Sequence, residues 1–161
     1  MESHQKPKAT PLMVLKVIGL SICMLLGFGA SFYAGYNSMP YVLAPIIFLV
    51  ISCSTCLALI SRYLQGRLFL GENLNSIKGS FWLGWVLLCL SVVGSFIFAI
   101  TGFGKMEGFY YKEYGLYAAL VPCLLAVFWS CVLIYDSRYF WRMWQREVGN
   151  AMAGAQVVFR P

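Results

Sequence analysis

Residues 114–146 read YGLYAALVPCLLAVFWSCVLIYDSRYFWRMWQR, and this stretch decides the fold. Its first part, up to Tyr135, contains no charged residue, and about 20 apolar residues in a helix cross a hydrocarbon core of roughly 30 Å. The remainder, residues 136–146, crowds aromatic rings and three arginines together. Rings and cations are typical of the place where a membrane helix meets water. The stretch therefore predicts a spanning helix with a basic, aromatic end.

Three similar apolar runs precede it, at about residues 17–36, 41–60 and 81–101, with the fourth at about 114–135. The whole chain is 60% hydrophobic and only 11% charged, which leaves too few charges to cover a soluble surface. We therefore predict an all-α fold, an integral membrane four-helix bundle. Its domains are a cytoplasmic tail at 1–12, a four-span transmembrane domain at 13–140 and a cytoplasmic C-terminal tail at 141–161.

The net charge of +6 is distributed between the apolar runs, so it favours an anionic bilayer surface over nucleic acid as partner. Ten of the twelve basic residues lie in the N-terminal segment, the loop after the second span and the C-terminal tail. The other two, Lys105 and Lys112, follow the third span. By the positive-inside rule both termini face the cytoplasm. We expect a multi-pass protein of the plasma membrane or of an endosomal or lysosomal membrane.

Small residues recur at helical spacing on the first and third predicted spans. They are Gly27, Ser31 and Gly35 on the first, and Gly84, Ser91, Ser95 and Ala99 on the third. Small side chains let helices approach closely in lipid, so these stripes predict helix packing. They leave a homo-oligomer or a larger membrane complex open as partners.

Cys53 and Cys56 share one face of the second span because they lie three residues apart. A CxxC pair can bind a metal or cycle between thiol and disulfide, but such chemistry needs further ligands or a cationic neighbour. Neither is apparent beside this mid-helix pair. We interpret it as small-residue packing, with a polar lining and a metal or redox site as alternatives.

The sequence offers no constellation for catalysis and no metal site. The one histidine, His4, lies in the polar N-terminal tail, and the six acidic residues all fall away from the middle of the predicted spans. Acid–base and nucleophilic catalysis would therefore lack a suitably placed acid, base or activated nucleophile, so we do not expect an enzyme or a fixed cofactor. Missing intramembrane charge also argues against ion-coupled pumping.

The cluster at the end of the fourth span suits a flat, apolar, anionic ligand. Rings can stack on such a ligand, arginine can pair with its carboxylates, and a tyrosine oxygen can reach a metal. Within it, Tyr135, Arg138 and Tyr139 match an aromatic-x-x-basic-tyrosine motif. This motif resembles the one that ends the last span in the haem-responsive gene family of small four-span haem transporters. The chain is also similar to that family in length, in its cytoplasmic termini and in the Ala99-Ile100-Thr101 end of its third span.

The resemblance implies a protein that moves haem toward the cytoplasm without pumping it. In that hypothesis Tyr63 is the second-span ligand, and Lys105, Tyr110 and Tyr111 receive haem in the loop after the third span. Tyr135, Arg138 and Tyr139 then hold it at the cytoplasmic face. The family's loop histidine has no counterpart in Gly102–Lys105. Two alternatives stay open: a non-enzymatic tetraspan scaffold or accessory subunit of a membrane complex, and a lipid-binding or trafficking protein.

Overall fold

The computed structural model describes residues 10–37, 39–66, 74–104 and 117–158, and within these ranges the chain forms four α-helices and no strand. They are α1 (Pro11–Tyr36), α2 (Pro40–Leu64), α3 (Leu74–Gly104) and α4 (Tyr117–Val158). Each is long and apolar enough to cross a membrane. The predicted all-α four-helix bundle is confirmed, and the chain is a multi-pass membrane protein.

The helices extend beyond the apolar runs. α1 begins at Pro11 rather than Val17, because Thr10 caps it: its Oγ1 accepts a hydrogen bond from the Met13 amide at 3.4 Å, and proline suits a first helical position. The loop expected at 61–80 is shorter, since 61–64 belong to α2 and 74–80 to α3. A helix satisfies its own backbone hydrogen bonds, so it can continue past the edge of the hydrocarbon into water.

Contacts between named residues give the helix directions. Met24 and Gly27 of α1 meet Ser54 and Val50 of α2 in the reverse order, so α1 and α2 are antiparallel. Ser52 and Tyr63 of α2 meet Ser130 and Phe140 of α4 in the same order, so α2 and α4 are parallel. The pairs Gly84–Ile134 and Gly94–Cys123 make α3 antiparallel to α4.

α2 lies at the centre of the bundle. It packs against α1 on one side and α4 on the other, and α3 packs mainly on α4. The backbones of α1 and α4 do not meet: in the described ranges their Cα atoms stay more than 8 Å apart. A groove therefore runs between α1 and α4, with α2 as its floor.

Glycine permits close approach at two of the helix crossings. A Cβ added at Gly27 would lie 2.8 Å from Val50 Cγ2, and one added at Gly84 would lie 2.8 Å from Ile134 Cγ1. Both distances are shorter than a carbon–carbon contact allows. The packing predicted for the two small-residue stripes is thus present at Gly27 and Gly84, whereas Gly35 faces open space.

The cysteine pair of α2 is packed into the core. Cys53 and Cys56 are both fully buried, and the Cys56 thiol lies 3.9 Å from the Trp129 carbonyl oxygen. Among the residues that the structure describes, no three His, Cys, Asp or Glu side chains are close enough to hold a metal ion. The full burial of both thiols agrees with the packing interpretation.

Candidate ligand site between α1, α2 and α4

One end of the groove contains a cavity of about 250 Å³, which we call the tyrosine cavity. The start of α1, the end of α2 and the middle of α4 line it. Its residues are Thr10, Leu12, Met13, Lys16, Ile60, Tyr63, Tyr135, Asp136, Tyr139 and Phe140. Four of these ten side chains are apolar, and the others supply three phenols, an ion pair and the Thr10 hydroxyl. A cavity that combines apolar surface with converging polar groups is typical of a small-molecule site.

Three tyrosines singled out in the sequence meet at this cavity. Tyr135 and Tyr139 lie four residues apart in α4 and so share one helix face. Tyr63 reaches the same cavity from the last turn of α2, where its ring packs on Phe140 with the centroids 5.0 Å apart. Tyr63 is buried, whereas Tyr135 and Tyr139 are 68% and 46% exposed. The buried phenol therefore belongs to the wall, and the two exposed phenols belong to the mouth.

The other candidate residues either lie outside the cavity or fall outside the described residues. Arg138 is exposed and does not line the cavity, because one residue along a helix turns the side chain about 100° away from Tyr139. Lys105, Tyr110 and Tyr111 lie outside the described residues. The structure thus brings together Tyr63, Tyr135 and Tyr139, with Arg138 on the neighbouring surface of α4.

An ion pair that was not expected from the sequence crosses the groove. Lys16 Nζ of α1 lies 2.6 Å from Asp136 Oδ1 of α4, and the two side chains are 25% and 8% exposed. The same ammonium lies 5.8 Å from the centroid of the Tyr135 ring. The expectation that buried charge is missing is wrong for Asp136, because α1 starts early enough to bring a lysine beside it. The signal in the sequence was that Lys16 directly precedes the first apolar run and Asp136 directly follows the last one, which places both charges at one end of the bundle.

The opposite end of the groove holds a second cavity of about 270 Å³, which we call the apolar cavity. It is lined by Leu26, Gly27, Ala30, Tyr33, Ala34, Met39, Val42, Ile46, Leu49, Ala118, Val121, Pro122 and Leu125. Between the two cavities, Trp129 of α4 fills the groove. Its Nε1 donates to Cys23 Sγ at 3.3 Å, and its ring lies 3.5 Å from where a Cβ of Gly19 would be. The tryptophan separates a polar end from an apolar end.

The basic residues collect at the end that contains the tyrosine cavity. Arg62 donates to Ser76 Oγ at 2.7 Å, which joins the end of α2 to the start of α3. Lys78 lies 5.4 Å from the centroid of the Trp141 ring on α4. Arg138, Arg142 and Arg146 follow along α4, and the opposite end of the bundle has no lysine or arginine within the described ranges. Charge therefore distinguishes the two ends of the bundle.

Comparison with known proteins gives no relative: no family model, no curated protein and no solved structure matches this chain. The likeness to haem transporters thus depends on the motif residues and on the layout of the spans alone.

Proposed function

We propose that this multi-pass membrane protein binds haem in the tyrosine cavity and moves it toward the cytoplasm as a permease. The observation that supports the proposal is the convergence of Tyr63, Tyr135 and Tyr139 on one cavity between three helices. Two of these residues come from the motif and the third comes from a different helix. A motif that served only as an interfacial belt would not require a third phenol at the same place.

The cavity offers the chemistry that ferric haem requires. A phenol oxygen is an established ligand of haem iron, aromatic rings stack on the porphyrin face, and an ammonium pairs with a propionate. Tyr135 and Tyr139, as the exposed phenols, are the candidates to ligate the iron. Lys16 is the cation at the cavity wall, and Arg138 is available beside the mouth.

The size of the cavity implies movement. At about 250 Å³ it is slightly smaller than the roughly 300–1,000 Å³ that is usual for small-molecule sites. A porphyrin therefore enters only if the groove widens. Separation of α1 from α4 would break side-chain contacts, chiefly Lys16–Asp136 and Trp129–Cys23, because the backbones of the two helices do not touch.

The distribution of charge supports an orientation for the groove in this proposal. The tyrosine cavity shares its end of the bundle with Lys16, Arg62, Lys78 and the arginines of α4. Under the positive-inside rule that end is cytoplasmic, so the apolar cavity lies toward the other side. Haem would pass Trp129 and reach the phenols last.

Haemin titration of the purified protein tests the binding step. We expect a saturable shift of the Soret band that is weakened at least about tenfold in Tyr135→Phe or Tyr139→Phe, because either change removes an iron-ligand oxygen but keeps the ring. Tyr36→Phe is the matched control, since Tyr36 is 89% exposed at the opposite end of α1. Absence of a saturable shift, or equal affinity in all variants, would contradict haem binding. Growth of a haem-auxotrophic cell at low haem then tests transport.

The alternative function is a tetraspan scaffold or accessory subunit. It is favoured by α1, where Gly29 and Gly35 face open space and large apolar side chains such as Phe32 are exposed. Open glycines on a lipid-facing helix can admit a partner helix. In that case Gly29→Leu and Gly35→Leu release a co-purifying partner, whereas Tyr135→Phe leaves the complex intact. If the protein transports haem, Tyr135→Phe reduces growth of the haem-auxotrophic cell, whereas Gly29→Leu and Gly35→Leu leave its growth unchanged.

A further inference from the structure

The Lys16–Asp136 pair closes the groove at the tyrosine cavity. Within the described residues it is the one salt bridge, and it joins two helices whose backbones are more than 8 Å apart. Both residues also line the cavity itself. The pair therefore joins α1 to α4 at the tyrosine cavity, and a ligand larger than the cavity must separate the two side chains.

The carboxylate of Asp136 is paired with Lys16, which is the cation that an anionic ligand would need. Among the residues that line the tyrosine cavity, Lys16 is the basic one, and its Nζ lies 2.6 Å from Asp136 Oδ1. An ammonium in an apolar wall gains from a carboxylate partner because neither charge is fully hydrated there. Lys16 is the more accessible of the two, at 25% exposure against 8%, so a second carboxylate can approach it from the cavity.

We propose that Asp136 is a built-in substitute for a ligand carboxylate, which the propionate of haem displaces from Lys16 on binding. This inference depends on the proposed haem function. Exchange of one carboxylate for another keeps Lys16 paired and breaks the ion pair between α1 and α4, while the released carboxylate of Asp136 is hydrated at the widened mouth of the cavity. The groove then widens because the ligand has replaced the contact that held it closed.

The exchange predicts opposite effects for the two partners. An internal carboxylate that competes for Lys16 lowers the apparent affinity for the ligand. The apparent affinity is proportional to the fraction of protein in which Lys16 is not paired with Asp136. Asp136→Asn keeps the size of the side chain and removes the competitor, so haemin binding strengthens. Lys16→Met removes the cation, so haemin binding weakens. A pair that served only to hold the helices together would give losses for both variants.

The ester of the same ligand provides the matched control. Haemin dimethyl ester has the same ring and iron but no carboxylate to exchange with Asp136. We expect Asp136→Asn to increase the affinity for haemin at least about tenfold, and Lys16→Met to reduce it by a similar factor, each equivalent to about 1.4 kcal/mol. Neither variant changes the affinity for the ester by as much. Lys16→Arg keeps a cation and retains haemin binding.

The outcomes separate the inference from the function on which it depends. If wild-type protein does not bind haemin saturably, the haem function fails and the exchange is overturned with it. If wild-type protein binds haemin but Asp136→Asn binds it no more tightly, the function stands and the exchange is overturned. If Lys16→Met does not fold, the double variant Lys16→Met, Asp136→Asn replaces it, since it leaves no unpaired buried carboxylate. The double variant must lose the gain seen in Asp136→Asn, and a retained gain overturns the role of Lys16.

Discussion

The indole Nε1 of Trp129 donates a hydrogen bond to Cys23 Sγ at 3.3 Å, and this contact joins α4 to α1 across the middle of the groove. The ring lies over Gly19, where a larger side chain would reduce the space available to it. On one side of the tryptophan lies the tyrosine cavity and on the other the apolar cavity. A ligand that moves along the groove must displace this ring.

Trp129→Phe should expose Cys23. The phenyl ring fills most of the space but cannot donate to sulfur, and loss of a hydrogen bond worth about 1 kcal/mol raises an open population about fivefold. We expect Cys23 to react correspondingly faster with a membrane-permeant maleimide, read by mass spectrometry of its peptide. Cys131, which is exposed on α4, is the internal control and should keep its rate. An unchanged rate at Cys23 would mean that the ring alone closes the groove.

Gly27→Ala should destabilise the packing of α1 on α2. The new methyl group would lie 2.8 Å from Val50 Cγ2, so the helices must separate or the valine must change rotamer. Overpacking of this kind costs about 1–3 kcal/mol. The measurement is the free energy of unfolding in mixed micelles. Gly29→Ala is the matched control, since no atom lies within 4 Å of its added Cβ. Equal losses in both variants would indicate a general effect of helix composition.

Gly84→Ala should destabilise the packing of α3 on α4, and the loss should depend on Ile134. Its Cβ would lie 2.8 Å from Ile134 Cγ1 and 3.5 Å from the Ile134 amide nitrogen. Trimming the neighbour to alanine in the double variant removes Cγ1 and relieves most of the clash, so the two changes should be non-additive by at least about 0.5 kcal/mol. Gly79→Ala, on the same helix but facing open space, is the control. Strict additivity would rule out a direct contact between residues 84 and 134.

The hydroxyls of Ser52 and Ser130 should be coupled. They lie 3.0 Å apart and are both fully buried between α2 and α4. Ser52→Ala leaves Ser130 without this partner and should reduce the free energy of unfolding by about 0.5–1.5 kcal/mol, as for other hydrogen bonds between membrane helices. Changing both serines to alanine removes the hydrogen bond and leaves no unpaired buried hydroxyl. The double variant should therefore be no less stable than the single variant. A double variant with the sum of two losses would contradict the pairing.

The spans could be predicted from sequence because lipid imposes a simple condition on them. Residues 17–36 need enough apolar side chains to cross the hydrocarbon, and this requirement is local and visible in the sequence. The ends of the helices were less predictable. α1 starts at Pro11 and α4 continues to Val158 because capping and backbone hydrogen bonding, rather than hydropathy, determine where a helix stops.

The candidate site was predictable only in part. Tyr135 and Tyr139 lie on one face because four residues make about one helical turn, and this follows from their numbers alone. The meeting of Tyr63 with them depends on α2 lying beside α4 in the same direction. Arg138 has a place in the motif but not in the cavity wall. Lys105, Tyr110 and Tyr111 remain predictions.

The sequence by itself determined that four apolar helices cross a membrane and that one end of the bundle carries the basic residues. Both properties follow from the free energy of moving individual side chains between lipid and water, which depends on composition within one segment. Only the tertiary structure decided that Lys16 meets Asp136 and that Trp129 divides the groove. Such contacts depend on which helices are neighbours and on how each is rotated about its axis. Helix packing fixes those variables, and in lipid it depends on the fit of small and large side chains rather than on hydropathy.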